Sequence, residues 1–468
     1  MPDFDLAIIG AGSAGLSVAA VAAQLGARVL LVERERMGGD CLNTGCVPSK
    51  ALLAASRAAR SLRDAARFGM TPVAPEIDWD RLREHVHGVI ARIAPMDSEA
   101  RFRALGATVL RGEARFVDPD AIMVDGRRIT ARHFVVAAGS RAAVPALSGL
   151  EQYWTNETLF DLRERPAHLL ILGGGAIGLE LADAFSGLGC QVTVVEAGRI
   201  AAREDAELVL GLRLALSARG VAFEEGATVA AVEPGPALRL SDGRRIAGSH
   251  LLVATGRRPN LESLDLPAGR IEAGPAGIIT DSGLRSVSNR RVFAAGDIAA
   301  PTGLGPRAFT HVASYHAGII IRRALFRVPA KVDYAALPRV IYTDPELAQT
   351  GLTEAEAGAA GMRVQVLRWP LADNDRAVAE RDTDGLAKLV ISGKRVIGAG
   401  ILAPHAGEMI SQWTLAIAQR TPVSVLAGLV VPYPTRSEAA KRAAGSFYAP
   451  RLFSPRMRTV VRLLSRLP

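Results

Sequence analysis

The fold is decided by the stretch Phe4 to Glu33, which reads FDLAIIGAGSAGLSVAAVAAQLGARVLLVE and contains the loop GAGSAG at Gly10 to Gly15. An apolar run precedes the glycines, an alanine-rich helical stretch follows them, and a second apolar run ends in Glu33. A strand, a G-x-G-x-x-G loop, a helix, a second strand and a terminal acid within about thirty residues form the dinucleotide-binding fingerprint in its complete context. The sequence therefore predicts an α/β fold that begins with a Rossmann-like unit.

Each position of this loop has a physical role. Gly10 permits the tight turn, Gly12 lets a pyrophosphate approach the backbone, and Gly15 lets the helix and the strand pack closely. The carboxylate of Glu33 is expected to accept hydrogen bonds from a ribose. The predicted cofactor-binding residues of this unit are Gly10, Gly12, Ser13, Ala14, Gly15 and Glu33.

A second unit of the same kind begins with an apolar strand over residues 168–172. The loop GGGAIG at Gly173 to Gly178 follows, and then a helix and a strand over residues 191–195 that ends in Glu196. Two complete units predict two dinucleotides, one that stays and one that visits. An acid in this position bonds ribose hydroxyls and repels a 2′-phosphate, which favours NADH, although Arg199 leaves NADPH open. The predicted binding residues of this unit are Gly173, Gly175, Ile177, Gly178 and Glu196.

Three further segments combine an apolar strand with a glycine. Two of them, Phe134 to Gly139 and Leu251 to Gly256, end in that glycine, and the third reads RVFAAGDI over residues 291–298. We expect Asp297 to bond hydroxyls on the sugar chain of the first dinucleotide rather than only to cap the next helix. These segments add four predicted cofactor-binding residues, which are Ala138, Gly139, Gly256 and Asp297.

The stretch Gly38 to Lys50, GGDCLNTGCVPSK, contains Cys41 and Cys46 with four residues between them. It predicts a sharp turn and then a helix, and a thiol at a helix N-terminus has its anionic form favoured. A structural disulfide or a zinc half-site is the alternative, but zinc needs two further ligands and the third cysteine, Cys190, is isolated. The pattern favours a redox-active pair and no metal site. Gly39 and Lys50 join the predicted cofactor-binding set.

The composition is that of a globular protein without nucleic-acid-binding features. The chain has 468 residues, three cysteines and a formal charge of +9 that arginine carries almost alone. No basic run with interleaved aromatic residues accompanies this charge, which argues against nucleic-acid binding. The sequence has no apolar run of about eighteen residues, and its acidic start does not indicate a signal peptide. Few and reactive cysteines suit a reducing compartment, so we expect a cytoplasmic location.

The motifs GAGSAG, GGDCLNTGCVPSK, GGGAIGLE, ATG and AAGD together make the chain resemble the flavin-dependent pyridine nucleotide–disulfide oxidoreductases. This resemblance implies two Rossmann-like domains, one for FAD and one for NAD(P), and a C-terminal α+β dimerisation domain that makes a homodimer. The implied FAD-binding parts are residues 1–149 and 276–336, with NAD(P)H bound by residues 150–275. Residues 337–449 would form the interface domain, and residues 450–468 a basic tail beyond it.

The resemblance also implies roles for the residues around the cysteines. Cys46 looks like the thiolate beside the flavin, and Cys41 like the outer sulfur that exchanges with the substrate. Lys50 is similar to the lysine near flavin N5, where a cation would stabilise the reduced flavin. Glu180 is its implied partner, because a buried lysine needs a counter-charge.

The chain departs from the thiol-reducing members of this family near its C-terminus. Those members have a histidine–glutamate pair that reaches into the partner subunit's site as the thiol acid/base. Here residues 431–438 read VPYPTRSE, so Tyr433 stands in the place of the histidine and Glu438 is retained. A tyrosine with its ordinary pKa of about 10 is a poor proton shuttle at neutral pH. The stretch Asp373 to Arg376 is expected to be an ordinary polar loop.

Tyrosine in this place is similar to the mercuric reductases of the family, although this chain has no C-terminal cysteine pair. The sequence therefore predicts hydride transfer from NAD(P)H to FAD and on to the Cys41–Cys46 disulfide. The predicted final acceptor is a metal ion, a quinone or a similar small molecule. The alternatives are a slow dihydrolipoamide dehydrogenase that tolerates Tyr433, and a flavin redox sensor or docking protein.

The tail from Pro450 to Pro468 combines arginines with apolar residues and has no acid. As a helix from Pro455 it would be basic and amphipathic, able to lie weakly on an anionic membrane surface. Docking of this helix on the protein's own dimer is the somewhat favoured alternative.

Overall fold

The structure is a computed structural model that describes residues 1–467. Its first third begins with a strand, a helix and a strand, continues with four helices and ends with five strands. The first strand lies where the sequence indicated, and the first helix begins at Ser13, within GAGSAG. The strand predicted over residues 134–138 starts earlier and ends at Val136, since Gly139 turns the chain with a φ of +66°. The elements are β1 (Phe4–Ile9), α1 (Ser13–Gln24), β2 (Val29–Glu33), α2 (Gly39–Asn43), α3 (Cys46–Arg63), α4 (Trp79–Ile93), α5 (Glu99–Ala104), β3 (Thr108–Arg111), β4 (Ala114–Asp118), β5 (Ala121–Val124), β6 (Arg127–Val136) and β7 (Ser140–Ala142).

The second third contains the second glycine-loop unit. Its two principal strands match the predicted ranges, and the helix between them starts at Ala176, within the loop Gly173 to Gly178. The elements are β8 (His168–Leu172), α6 (Ala176–Gly187), β9 (Gln191–Glu196), α7 (Ala206–Ala218), β10 (Val221–Glu225), β11 (Val229–Glu233), β12 (Ala237–Leu240), β13 (Arg245–Ala247), β14 (His250–Val253), β15 (Arg257–Pro259), β16 (Ala273–Gly274) and β17 (Gly277–Thr280).

The last third changes to an antiparallel sheet with helices around it. The stretch expected to be a polar loop instead starts a short helix, because the Asn374 side chain accepts a hydrogen bond from the Ala377 amide and caps it. The elements are β18 (Val292–Ala294), β19 (Ala299–Pro301), α8 (Thr310–Ala324), β20 (Arg339–Ile341), β21 (Glu346–Gly351), α9 (Glu354–Ala359), β22 (Val364–Pro370), α10 (Asp375–Ala379), β23 (Leu386–Ser392), β24 (Arg395–Ala403), α11 (Ala406–Met409), α12 (Ser411–Ala418), α13 (Val423–Ala427), α14 (Ser437–Ser446), α15 (Ala449–Leu452) and α16 (Pro455–Leu464).

Two parallel sheets carry the glycine loops. The first has the strand order β3-β2-β1-β6, with β18 also paired to β6 and with β5 and β4 added antiparallel. The second has the order β10-β9-β8-β14, and all of its pairs are parallel. In each sheet the glycine loop leaves the carboxyl end of a central strand, which is where open α/β sheets bind their ligands.

Small residues let each loop helix pack directly on its strand. A Cβ atom at Gly15 would lie 1.9 Å from the carbonyl oxygen of Gly10, and one at Gly178 would lie 2.0 Å from that of Gly173. No side chain fits at such distances, so glycine is required at both positions. The apolar strands beneath, such as Leu6 to Ile9, are buried and form the core on which both loops rest.

The third sheet, in the order β20-β21-β24-β23-β22, is antiparallel throughout. Helix α14 packs on it through four alanines that are fully buried, which are Ala439, Ala440, Ala443 and Ala444. An ion cluster joins this sheet to α7 of the second unit. The buried Lys388 amine lies 2.9 Å from Asp205 Oδ2, 2.8 Å from Glu207 Oε2 and 2.8 Å from Glu354 Oε2.

The tail forms the predicted helix, which begins at Pro455. Its apolar and basic side chains are exposed, so it does not bury a face against its own chain. Within residues 1–467, we find no helix that is both long and apolar enough to cross a membrane.

Candidate active site

A cavity of about 490 Å³ lies at the carboxyl end of the first parallel sheet. It extends from the first glycine loop to Cys41 and to Thr310 at the start of α8. Gly15 and Lys50 belong to the predicted cofactor-binding set but do not line it: Gly15 packs the helix on the strand, and Lys50 points to a neighbouring carboxylate. The predicted residues that do line the cavity are Gly10, Gly12, Ser13, Ala14, Glu33, Gly39, Ala138, Gly139 and Asp297.

The glycine loop of this cavity is built to receive a phosphate group. Gly10 has a φ of +102°, and a Cβ there would lie 2.5 Å from the Ala137 carbonyl oxygen. Helix α1 starts after Gly12 without a side-chain cap and without an acid in its first turn. Its free amide groups and its dipole therefore favour an anion at this end. The residues fit the pyrophosphate of an adenine dinucleotide.

The acid at the end of β2 is held in place by the backbone. Glu33 Oε2 accepts a hydrogen bond of 2.7 Å from the Ala11 amide, and its Oε1 accepts one of 2.8 Å from the Glu35 amide. These bonds fix the carboxylate beside the glycine loop, at the position from which a fingerprint acid contacts a ribose.

Asp297 joins three distant segments at the floor of the cavity. It accepts a hydrogen bond of 2.5 Å from the Ser140 hydroxyl and lies 3.7 Å from Arg257 Nε. Arg257 Nη2 also lies 3.2 Å from Asp40 Oδ2, next to Cys41 in the chain. Burial raises the pKa of Asp297. Asp297 does not cap α8, whose N-cap is Phe309.

The two cysteines lie on consecutive helices that a sharp turn joins. Cys41 is within α2, and Cys46 is the first residue of α3 after Gly45, so the predicted helix start is confirmed. Both are free thiols, and the Cys46 sulfur lies 3.3 Å from the hydroxyl of Thr310.

These neighbours set the ionisation of the pair. The hydrogen bond from Cys41, the Thr310 hydroxyl and the Lys50 charge lower the pKa of Cys46 to about 6, against the effect of burial. The hydrogen bond between Cys41 and Cys46, together with burial, raises the pKa of the Cys41 thiol. The pair is therefore one thiolate and one thiol at neutral pH, with the thiolate at the helix N-terminus where the dipole favours it.

One turn further along α3, the half-buried Lys50 forms an ion pair with the buried Glu180. Its amine lies 2.7 Å from Glu180 Oε2, and 4.5 Å from the centre of the Tyr342 ring. The other carboxylate oxygen of Glu180 accepts a hydrogen bond of 3.1 Å from the Tyr342 amide. Burial lowers the pKa of Lys50, but the Glu180 carboxylate outweighs it and the pKa is raised overall. The lysine stays charged and contributes a fixed positive charge near Cys46.

The second glycine loop repeats the first one's geometry in a more open setting. Gly173 has a φ of +113°, and α6 starts after Gly175 without a side-chain cap. Glu196 Oε2 accepts a hydrogen bond of 2.8 Å from the Gly174 amide. Ile177 is 36% exposed on the first turn of the helix. Gly256 turns the chain with a φ of +145° just beyond β14.

Tyr433 and Glu438 do not meet the cysteines within one chain. Neither lines the cavity that contains Cys41. Tyr433 is 69% exposed, and its hydroxyl donates a hydrogen bond of 2.8 Å to Asp375 Oδ2. This bond raises the pKa of Tyr433. Glu438 pairs with Arg442 on the next turn of α14, at 2.7 Å.

Sequence reasoning missed four residues of the site. Thr310, Tyr342 and Arg257 contact the predicted site residues Cys46, Glu180 and Asp297, respectively, from distant parts of the chain. Asn156 donates 3.0 Å hydrogen bonds to Asp40 Oδ1 and to the Thr44 carbonyl oxygen, in the stretch that contains both cysteines. Only Arg257 could have been recognised as a site residue from the sequence, because it directly follows the predicted residue Gly256. The other three stand in no recognisable motif.

Comparison with known proteins identifies the family. Residues 4–319 match the family described as pyridine nucleotide-disulphide oxidoreductase, and residues 337–444 match its dimerisation domain. Mercuric reductase from Streptomyces lividans is 36% identical over 467 residues, which cover 95% of this chain and 96% of that protein. Dihydrolipoyl dehydrogenase from Thermus scotoductus is 34% identical over 463 residues, which cover 96% of this chain and 98% of that protein.

A solved structure has the same architecture. The Cu(II) complex of the HOCl-induced flavoprotein disulfide reductase RclA from Escherichia coli superposes with a TM-score of 0.83 at 26% identity, over 93% of this chain and 98% of that one. Members of the family are enzymes that use FAD and NAD(P)H, and the dimerisation-domain match supports a homodimer. This chain belongs to the pyridine nucleotide-disulphide oxidoreductases.

Proposed function

We propose that this enzyme takes electrons from NADH, passes them through FAD to the Cys41–Cys46 pair, and delivers them to a thiophilic metal ion. One observation carries the proposal. Cys46 is the first residue of α3, and Cys41, Thr310 and Lys50 lower the pKa of its thiol. Its sulfur is therefore a thiolate at neutral pH. A thiolate with an adjacent thiol is both a reductant and a two-sulfur ligand for a soft metal ion.

FAD, when bound, supplies the two-electron relay between the nicotinamide and the sulfur pair. The chain's own contribution is to bind and to set protonation states. Glu33 and Asp297 would hold the dinucleotide, and Lys50 would keep a positive charge beside the sulfurs. Oxidation of the thiol–thiolate pair to a disulfide releases two electrons and the single proton of Cys41. The protein therefore has to transfer only this one proton for each oxidation of the pair.

The surroundings of Tyr433 favour an acceptor that needs no proton from the protein. Its hydrogen bond to Asp375 raises its pKa, so the phenol keeps its proton at neutral pH. A group that does not exchange a proton near pH 7 cannot serve as the acid/base of dithiol exchange. Relatives named mercuric reductase, and a Cu(II) complex of the RclA flavoprotein, support metal ions as the acceptor class.

The test compares metal-dependent and direct electron transfer. Cys46→Ser should lower NADH oxidation driven by Hg(II) or Cu(II) at least about 100-fold, since the thiolate is lost. Reduction of an artificial quinone, which takes electrons without the sulfurs, should remain. Cys190→Ala, which changes a cysteine buried elsewhere, is the control and should leave both rates unchanged. Metal reduction that survives Cys46→Ser would overturn the proposal.

A second candidate is a slow dihydrolipoamide dehydrogenase, which the relative from Thermus scotoductus favours. In that case Tyr433→His should raise dihydrolipoamide oxidation by orders of magnitude, because histidine exchanges protons near neutral pH. Unchanged dihydrolipoamide activity in this variant would exclude the candidate, and the metal-reductase proposal would stand independently.

We further propose that residues 1–149 and 276–336 bind FAD, that residues 150–275 bind NADH, and that residues 337–449 form the dimer interface. For the tail, we propose a weak contact of α16 with an anionic membrane surface. Its support is that Arg458 and Arg462 lie on one side of the helix, opposite an exposed apolar side with Val460 and Leu464.

A further inference from the structure

A second cavity, of about 870 Å³, lies away from both glycine loops and is strongly basic. We call it the basic cavity. Most of its polar lining is cationic, and none of the lining residues in the described part of the chain is acidic. The cations are Arg132, Arg285, Arg291, Arg323, Arg327 and Lys331.

The basic cavity lies toward the amino ends of strands β6 and β18, whereas the candidate active site lies at the carboxyl ends of the strands in the same sheet. Strands β6 and β18 run in parallel toward Ala137 and Ala295, which line the first cavity. Arg132 lies five residues before Ala137, and Arg291 lies four residues before Ala295. At about 3.3 Å per residue this separates the two sites by roughly 13–17 Å along the strands. A ligand in the basic cavity would not touch the cysteines.

The positive charges of the basic cavity are poorly compensated. The carboxylate of Asp281 lies 3.0 Å from Arg323 Nη2 and also accepts backbone hydrogen bonds from Gly283 and Arg285. Among the residues that the structure describes, Arg323 is the single lining cation with an ion-pair partner. The other five cations face the same space without one.

Arg285 shows the cost of this arrangement. Its guanidinium lies over the Phe293 ring at 4.9 Å, and its buried Nε has no hydrogen-bond partner. Burial and the nearby Arg323 and Arg290 lower the pKa of Arg285. A buried donor without a partner and several like charges around one space both destabilise the protein unless an anion binds there.

We propose that the basic cavity binds a small molecule that carries two or more phosphate groups. Guanidinium groups bind phosphate oxygens through paired hydrogen bonds, and several of them converge here. The volume lies within the usual range of small-molecule sites, about 300–1,000 Å³. The anion would partner Arg285 and neutralise the cluster. Such a site gives the enzyme a binding function beyond electron transfer, toward the amino ends of strands whose carboxyl ends face the active site.

The experiment is calorimetric titration of the FAD-loaded enzyme with inorganic tripolyphosphate at 0.15 M salt, roughly physiological. The test variant is Arg132→Gln/Arg327→Gln/Lys331→Gln, which neutralises three exposed cavity residues. The control is Arg92→Gln/Lys394→Gln/Arg395→Gln, which removes the same charge from exposed residues elsewhere. We expect the Kd to rise about 30-fold or more in the test variant and to stay within about twofold in the control.

Four results would overturn the proposal. The first is no binding to the intact enzyme, and the second is an equal loss in both variants, which would mean general attraction to a basic protein. The third is competition by NADH, which would assign the anion to the second glycine loop. Citrate distinguishes the ligand chemistry: binding as tight as that of tripolyphosphate would contradict a phosphate site. Retained flavin absorbance in both variants verifies that they are folded.

Discussion

The two glycine loops of this protein are locally almost the same. Gly10 and Gly173 have φ angles of +102° and +113°, and a Cβ atom there would lie 2.5 Å from the Ala137 carbonyl oxygen and 2.4 Å from the Ala254 carbonyl oxygen, respectively. Glu33 and Glu196 each accept a backbone hydrogen bond from their own loop, at 2.7 and 2.8 Å. The same sequence code therefore makes the same phosphate-binding geometry twice.

The two loops differ in how far other segments of the chain cover them. The first is covered by segments that come from far along the chain, including Ala138 and Asp297. The second is open, with Gly175, Ala176 and Ile177 exposed. The difference teaches that a glycine loop specifies how a dinucleotide is held, whereas its tertiary surroundings determine whether it stays. A covered loop suits a resident FAD and an open one suits a visiting NADH.

The strongest test adds one methyl group to each loop. Gly15→Ala should abolish FAD binding and destabilise the fold by about 3 kcal/mol, because the Cβ meets the Gly10 carbonyl at 1.9 Å in a covered site. Gly178→Ala makes an equivalent clash at 2.0 Å, but it should leave FAD bound and raise the KM for NADH at least about tenfold. Flavin absorbance and steady-state kinetics measure the two effects.

The matched control for this pair is Gly88→Ala, on α4, where the added Cβ has no neighbour within 4 Å. It should bind both cofactors as the native enzyme does. If Gly178→Ala also loses FAD, the two units are not independent and the comparison fails.

A second prediction concerns how the second unit is attached to the third sheet. Lys388 is 4% exposed and bonds Asp205 at the start of α7. Lys388→Met leaves that buried carboxylate unpaired and should destabilise the protein by about 3–5 kcal/mol. Urea unfolding measures this loss, and the exposed Lys394→Met is the control. A Lys388→Met enzyme as stable as the native one would show that the cluster contributes specificity rather than stability.

A smaller effect is expected at the acids that end β2 and β9. Glu196→Gln should reduce the preference for NADH over NADPH about tenfold, since the repulsion of a 2′-phosphate is lost. Glu33→Gln changes the equivalent acid of the covered loop and should weaken FAD binding without altering the coenzyme preference. Ratios of kcat/KM for the two coenzymes decide the point. An altered preference in Glu33→Gln would contradict the assignment of the two loops.

The smallest effect is expected in the tail. Removal of residues 452–468 should leave NADH oxidation unchanged and lower sedimentation with anionic liposomes by roughly half or more, because each arginine near such a surface is worth about 1 kcal/mol. Neutral liposomes are the control. Equal sedimentation of both proteins, or a loss of the dimer on truncation, would instead favour docking of α16 on the partner subunit.

The sequence predicted those helices and strands whose positions depend on residues close together in the chain. The strand His168–Leu172, the helix start at Cys46 and the tail helix from Pro455 follow from periodicity, glycine and proline, so their positions were predictable. The prediction of a loop over Asp373 to Arg376 was wrong, because the Asn374 cap, a single hydrogen bond, starts a helix there.

Long-range contacts could not be predicted in the same way. Thr310 lies 264 residues from Cys46 and contacts its sulfur. Tyr342 lies 162 residues from Glu180 and donates its amide to that carboxylate, the partner of Lys50. Neither residue belongs to a motif, because only the folded chain brings it to the site. The basic cavity was hidden for the same reason, since its arginines come from several separate segments.

We propose that the Cys46 thiolate lies against the FAD bound in the covered loop, beside Cys41, which lines that cavity. Anaerobic titration of the purified enzyme with NADH, followed by its visible spectrum, tests this claim most directly. We predict a long-wavelength absorption band after two electrons per FAD, and the band should fade as the pH falls through about 6, where Cys46 takes up its proton. Simple bleaching of the flavin, without that band at any pH, would contradict the account.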